Sequence, residues 1–314
     1  MLRYILMRVL ATVPVMGVVA IFVFLMLRLA PGDPAAVIAG DYATAEDVMR
    51  IRESLGLNEP ILVQFLKWVA TLAQGDLGTS IFSSLPVTTL IMQRIEPTLM
   101  LSLTTIVFAV LVAVPLGTLA AWKSGSMIDR VVMMFSVGGF SVPVFVLGYM
   151  LIYVLAMELK WLPVQGYKSM FEFGVPTFLR HIALPTLTLS VIFIALIARM
   201  TRASVMEVLQ EDYIRTARAK GQSEFKILMR HALRNAAVPI VTVIGIGIAL
   251  LIGGVVVTES VFNIPGLGRL VLDAVLARDY PIIQGLILFF SFVYILINLM
   301  IDLSYVLLDP RIRY

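Results

Sequence analysis

Few residues in this chain have the types and spacing that catalysis requires. His181 and His231 are the sole histidines in 314 residues and cysteine is absent, which excludes thiol chemistry, disulfides and cysteine-bound zinc. No HExxH, GxSxG or GxxxxGK[ST] pattern occurs, and the Gly266-Leu267-Gly268 triplet lacks the preceding strand and acidic partner of a nucleotide fingerprint. No catalytic residue and no metal ligand set can be assigned. The ordered polar chemistry lies in one stretch, Glu211 to Pro239, EDYIRTARAKGQSEFKILMRHALRNAAVP. Glu211 and Arg215 stand four apart and support a helix, which Tyr213 to Lys220 continue until Gly221 breaks it. Ser223 can cap a second helix whose first residue, Glu224, suits the positive end of the helix dipole. In that helix Lys226, Arg230 and Arg234 share one face, and Phe225, Met229 and Leu233 share another. Helix, glycine turn and amphipathic helix make a surface for docking a partner. Contact with anionic lipid accounts for the basic charge as well, but not for the hinge or the apolar stripe.

The elements that position this insert are membrane spans. The chain is 60% hydrophobic and 14% charged, with a mean hydropathy of +0.97, beyond what a soluble core of this length needs. A bilayer core takes roughly 20 apolar residues per helix. Six charge-free windows of about that size run from Val9 to Leu27, Pro97 to Trp122, Val131 to Met157, Ile182 to Ala198, Asn235 to Thr258 and Tyr280 to Ile301. The first is too long for a signal peptide, and none alternates as a barrel strand does. The expected fold is an all-α integral membrane protein of six transmembrane helices.

Short loops rich in Lys and Arg stay on the cytoplasmic side. The insert is bordered and filled by Arg199, Arg202, Arg215, Arg218, Lys220, Lys226, Arg230 and Arg234, which places it inside. Counting spans puts both termini and the Lys123–Arg130 turn on the same side. The acidic segment from Ala30 to Glu96 then lies outside. Within it Ala43 to Ser54 reads as a surface helix, and Pro60 to Leu72 as a second, whose Ile61, Phe65, Trp68 and Leu72 form a face that packs on the bundle. Trp161, Tyr167 and Phe171 read as membrane-belt anchors, and Leu267 to Ala277 as an amphipathic helix after a Pro-Gly turn.

No window holds an ionisable residue, so the spans lack the groups by which an ion-coupled carrier works. Energy for transport has to enter elsewhere. Pro14, Pro115, Pro143 and Pro239 punctuate the spans, so helices can kink. Ser102, Thr104, Thr105, Ser136 and Ser141 either line a polar path or satisfy kinked backbone. Gly245, Ala249 and Gly253 recur every four residues and admit a close helix, either within the chain or across a dimer interface.

The stretch around Ala217 and Gly221 resembles the EAA loop of permease subunits of ATP-binding cassette importers. Arg215, Thr216 and Ala217 take the Glu-Ala-Ala positions, Gly221 falls at the required spacing, and His231, Ala232, Leu233 and Arg234 take the closing four. Ala217, Gly221 and Leu233 match; Arg215, Thr216, His231 and Arg234 depart. DYIRTARAKG followed by RHALRNA, the opening MLRYILMRVL with LMLRLAPGDPA, and the closing DLSYVLLDPRIRY look like the dipeptide, oligopeptide and nickel branch, in its B-type subunit.

The resemblance implies a type I importer permease in a bacterial or archaeal cytoplasmic membrane, moving di- or oligopeptides by alternating access. Nickel, glutathione or oligosaccharide are the same-branch alternatives, and a non-transporting membrane scaffold is the alternative from another class. It further implies a hetero-oligomer with a second permease, two cytoplasmic ATPase subunits that carry the ATP and Mg, and an extracytoplasmic solute-binding protein. No cofactor on this chain and no nucleic-acid partner are implied. Tyr213, Arg215, Thr216, Ala217, Gly221, Glu224 and Phe225 become the ATPase-coupling residues. The expected division is an N-terminal span and outer segment over 1–94, a permease core over 95–304 with its coupling loop near 200–235, and a cytoplasmic tail over 305–314.

Overall fold

The structure is a computed structural model that describes residues 2–29, 34–39, 44–54 and 56–308. Among the described residues the chain is helical and forms no strand, apart from an isolated bridge between Thr79 and Pro86. It opens with α1 (Leu2–Leu29), α2 (Pro34–Ala39), α3 (Ala45–Ser54) and α4 (Ile61–Ala73). The span-forming helices follow as α5 (Val87–Trp122), α6 (Met127–Ser141) and α7 (Val144–Leu151), which runs on as a π-helical segment π1 (Ile152–Glu158). Then come α8 (Met170–Phe173), α9 (Val175–Leu209), α10 (Asp212–Ala219), α11 (Glu224–Lys226), π2 (Ile227–Ala232) and α12 (Leu233–Asn235). The chain closes with α13 (Ala237–Val261), α14 (Leu267–Ala277) and α15 (Tyr280–Leu308).

Three of these helices, α5, α9 and α15, are each long and apolar enough to cross a bilayer, and two bent pairs raise the number to five. The first window falls in α1, where Leu10–Met26 is a shorter apolar stretch. The third window, expected as one span, is broken: α6 and the α7–π1 segment meet at 104°. Pro143 has no N–H to continue the ladder, and Val142 before it is held extended at φ −95° and ψ 123°. Pro115, by contrast, stays inside a continuous α5.

Two compact units divide the chain, Met1–Ile95 with Leu270–Leu296, and Glu96–Arg269 with Ile297–Tyr314. In the first, Phe24 of α1 is buried against Phe65 and Trp68 of α4, with ring centroids 5.2 and 5.6 Å apart. This is the packing expected of that outer helix, although Ile61 on the same face remains exposed. Ser80 Oγ donates to the Asp279 carboxylate at 2.6 Å, and Gln284 Nε2 to the Val23 carbonyl at 3.1 Å.

The second unit is organised around α9, of whose apolar stretch 67% is buried, against 22% for α5. Leu101, Leu184, Leu189, Ile197, Leu251 and Phe262 form its core. Gly117 brings α5 against α9, since a Cβ there would sit 2.5 Å from the Ala198 carbonyl oxygen and 2.7 Å from Thr201 Cβ. Ser136 and Ser141 donate to the carbonyls four residues back, which is the backbone-satisfying alternative for them, and Thr104 does the same to Met100 while its hydroxyl also lies 2.8 Å from that of Thr186.

Charges in this unit sit beside the apolar windows. Tyr167 packs edge-on against Phe178 and donates its hydroxyl to the Glu96 carboxylate at 2.9 Å. Burial and that carboxylate push the phenol's pKa up, so it stays a donor at physiological pH. Glu259, one residue beyond the fifth window, is completely buried. Its carboxylate accepts from Thr98 Oγ1 at 2.5 Å and from the Arg269 amide at 3.0 Å, while Thr98 Oγ1 accepts from the Leu267 amide at 2.8 Å. A Cβ on Gly266 would collide with that carboxylate, which explains a glycine that no nucleotide motif requires. One acid thus fixes the turn between α13 and α14. Glu259→Leu orphans two buried donors, each worth about 1–3 kcal/mol. Thermal melting of the purified chain in detergent should show a clear drop for this variant and for Gly266→Ala; an unchanged midpoint would remove Glu259 from this role.

Candidate coupling site

The insert leaves α9 through a two-residue turn at Gln210 and Glu211. Glu211 holds the N-cap position of α10 with extended backbone and no side-chain capping bond. The expected Glu211–Arg215 pair does not form; Arg215 instead meets Asp212 at 3.2 Å, with both side chains open to solvent, so the contact contributes little. At the other end Gly221 takes φ +74°, the left-handed conformation that glycine adopts without steric penalty, and closes α10 as the sequence predicts. Nothing lies within 4 Å of a Cβ built there, so the constraint is on backbone and not on space.

Ser223 occupies the N-cap of the second helix without making a capping bond. Glu224 is committed to Arg218 across the glycine turn, at 2.9 and 3.3 Å. His231 Nε2 bonds Gln222 Oε1 at 2.8 Å, and Asn235 Nδ2 donates to the Tyr213 hydroxyl at 3.0 Å. These bonds tie the second arm of the insert back to α10 and its turn.

The expected amphipathic helix is three pieces, α11, π2 and α12. The wider π turn rotates the faces, so the side of this arm that packs inward is Ile227, Leu228, Ala232 and Ala236. Leu228, Ala232 and Ala236 join Ala121, Val205 and Ile240. Ile227 packs with Ile214 and Ala217 of α10 and with Leu209 at the end of α9. Phe225, Met229 and Leu233 line a groove of about 270 Å³ with Pro115, Leu119 and Trp122 of α5.

Ala217 therefore does not offer its small side chain to a partner: it is 7% exposed and lets α10 close on Ile227. The outer face of α10 is Tyr213, Arg215, Thr216, Ala219 and Lys220, all exposed. Burying two isoleucines contributes about 1.5–3 kcal/mol each, so α10 is held on π2 and the end of α9 and displays a polar, basic face.

A second attachment went unread in the sequence. Asp129, in the first turn of α6 and buried, forms a two-pronged pair with Arg202 of α9, with Nη2 to Oδ2 at 2.7 Å and a second bond from Nε to Oδ1. The same carboxylate accepts from the Gly125 amide at 2.9 Å, and Ser126 caps α6 by accepting from the Asp129 amide. The loop before α6 is thereby pinned to α9 ten residues upstream of Asp212. The 73 residues between the partners left no local signal.

Of the interface candidates, Gly245 faces Ile301 of α15, which would overlap a Cβ placed there, so its close approach is within the chain. Ala249 is half-buried, and the packing of Gly253 lies outside the described residues.

A bundle of membrane-crossing helices with a helix–glycine–helix insert fixed to its most buried helix is the architecture of a transporter's membrane subunit. Residues 113–314 match the family described as binding-protein-dependent transport system inner membrane component, and residues 1–104 match the N-terminal region of such membrane components. The chain belongs to this family, which sets aside the scaffold alternative. It is 58% identical over 311 residues, covering 99% of each chain, to a probable peptide ABC transporter permease protein, y4tP, of Sinorhizobium fredii. It is 45% identical over 314 residues, all of both chains, to the glutathione transport system permease protein GsiC of Escherichia coli. Among solved structures, a chain of the MetNI methionine ABC transporter in an inward-facing conformation superposes with a TM-score of 0.57 at 17% identity, covering 71% of this chain and 97% of that one. That likeness establishes the ABC importer permease fold.

Removing one member of the Asp129–Arg202 pair leaves a buried charge alone, a loss of about 3–5 kcal/mol, while replacing both by apolar residues is far milder. Arg202→Met should lower the melting temperature more than the double variant Asp129→Leu/Arg202→Met. Equal losses in the two would mean that the pair does not pin α9.

Proposed function

We propose that this chain is one of two permease subunits of an ATP-driven importer of di- or oligopeptides, and that α10 is the element through which a separate ATPase drives it. The peptide reading rests on the relative that shares 58% identity over nearly the whole chain and is described as a probable peptide permease. Glutathione, the solute of the relative at 45%, is itself a small peptide, and is the second solute to test. The observation that carries the coupling reading is the attachment of α10: Ile214 and Ala217 are buried against Ile227 and the end of α9, while Tyr213, Arg215, Thr216 and Lys220 face outward. A push on the outer face of α10 is delivered to α9, and through Gly117 and the Asp129–Arg202 pair to α5 and α6.

ATP and Mg then belong to the partner subunits, one of which receives the α10 face with its basic residues. The basic loop lies in the cytoplasm and so do both termini, in keeping with the distribution of Lys and Arg. A solute-binding protein delivers peptide to the opposite side. Residues 1–94 form the first span and outer segment of this scheme, 95–304 the permease core, and 305–314 the tail.

Co-purification of this chain with a second permease and an ATPase pair, followed by ATPase assays with binding protein and dipeptide, tests the assignment. Hydrolysis should rise with both present; a partner lacking nucleotide-binding motifs would overturn it. Gly221→Pro and Gly221→Glu force a side chain or a fixed φ near −65° into a left-handed position. Both should abolish dipeptide uptake in cells while the chain remains in the membrane at normal levels. Normal uptake by Gly221→Glu would remove the coupling role from this turn.

A further inference from the structure

A cavity of about 380 Å³ opens where the chain leaves π1 and meets the first turns of α9, lined by Lys160, Leu162, Pro163, Thr177, Arg180 and His181. Every ionisable side chain in this lining is basic. Neither Lys160 nor Arg180 is paired with an acid among the described residues, in a chain where several other cations have a carboxylate partner. Lys160 takes φ +56°, a left-handed conformation that side chains disfavour, as the backbone turns out of π1. The Nδ1 atom of His181 lies 2.9 Å from the Thr177 carbonyl, which can only accept, so Nδ1 carries the proton and Nε2 is the ring's remaining polar atom.

Like charges gathered on one cavity without a counter-charge repel one another, and an anion relieves that repulsion. The neighbouring side chains identify which kind of anion. Leu159 and Trp161 flank Lys160 and are 45% and 64% exposed, while Leu179 adjoins Arg180 and is 52% exposed. A free solute anion would leave these side chains in water. Cations beside exposed leucine and tryptophan are the arrangement that meets a lipid at the bilayer interface, where the phosphate lies next to acyl chains.

We propose that this cavity binds the phosphate of an anionic phospholipid, held by Lys160 and Arg180, with its acyl chains along Leu159, Trp161 and Leu179. The site is independent of which solute the importer carries. It lies between the loop that follows π1 and the first turns of α9, so a bound lipid would brace the end of that helix distal to α10.

The test is native mass spectrometry of the purified full chain titrated with phosphatidylglycerol, and separately with phosphatidylcholine, whose phosphate is matched by a cation of its own. The first phosphatidylglycerol should bind at least about tenfold more tightly than phosphatidylcholine, a difference of the size that charge-assisted bonds confer. Lys160→Gln/Arg180→Gln should erase that preference, and Lys160→Arg/Arg180→Lys, which keeps both charges, should retain it. Equal binding of the two lipids by the unaltered chain overturns the proposal, as does an unchanged preference in the glutamine pair. Displacement of the lipid by millimolar inorganic phosphate alone would assign the cavity to a free anion instead. Retained lipid preference with lost stimulation by the binding protein, in a reconstituted assembly of the glutamine pair, would assign it to protein docking.

Discussion

A charged side chain has no water to solvate it inside a bilayer, and this constraint arranges nearly everything else in the chain. The apolar windows are free of ionisable groups, and the acids and bases stand at their margins: Glu96 before the second, Asp129 before the third, Arg199 and Arg202 after the fourth, Glu259 after the fifth. Each buried member of that set is fully engaged. Asp129 is held by Arg202 and a backbone amide, and Glu259 by Thr98 and a backbone amide. These charges therefore serve as fasteners at the ends of helices.

The proposed coupling role of the insert between α9 and α13 rests on how it is attached. Its inner face is an apolar contact of Leu209, Ile214, Ala217 and Ile227, and its turn is locked by Gly221 and the Arg218–Glu224 pair. The pair is half exposed and is worth little in stability. Its position across the hinge suits it to hold an angle. Through Leu209 the inner face of the insert also touches the end of α9, the most deeply buried of the long spans.

Local chemistry made part of this legible beforehand. Gly221 announced its turn because a glycine ending a helical pattern is the residue that accepts φ > 0, and α14 occupies the residues 267–277 that its amphipathic pattern marked. The spans followed from length and hydropathy. What stayed hidden depended on geometry between distant residues or on departures from the 3.6-residue period. The π turn over Ile227–Ala232 shifted which side of the second arm packs inward, which a face count built on ideal helix does not show, and the inward packing of Ala217 in α10 depends on Ile227 of that arm. Pro143 announced a kink but not a turn of 104°. The Asp129–Arg202 pair joins residues 73 apart and Glu259 reaches back to Thr98 across 161, separations for which a single sequence carries no pairing signal. The bond from Tyr167 to Glu96 spans 71 positions and left no signal either.

The central claim is that the outer face of α10, and not its small-residue side, meets the ATPase. Because the chain has no native cysteine, single cysteines can be placed on that helix without background. Thr216→Cys and Ala217→Cys are adjacent in sequence and opposite in exposure. Site-directed crosslinking in membranes should join Thr216→Cys to the ATPase subunit and leave Ala217→Cys unjoined. Crosslinking through Ala217→Cys with none through Thr216→Cys would contradict this account of how the coupling helix is presented.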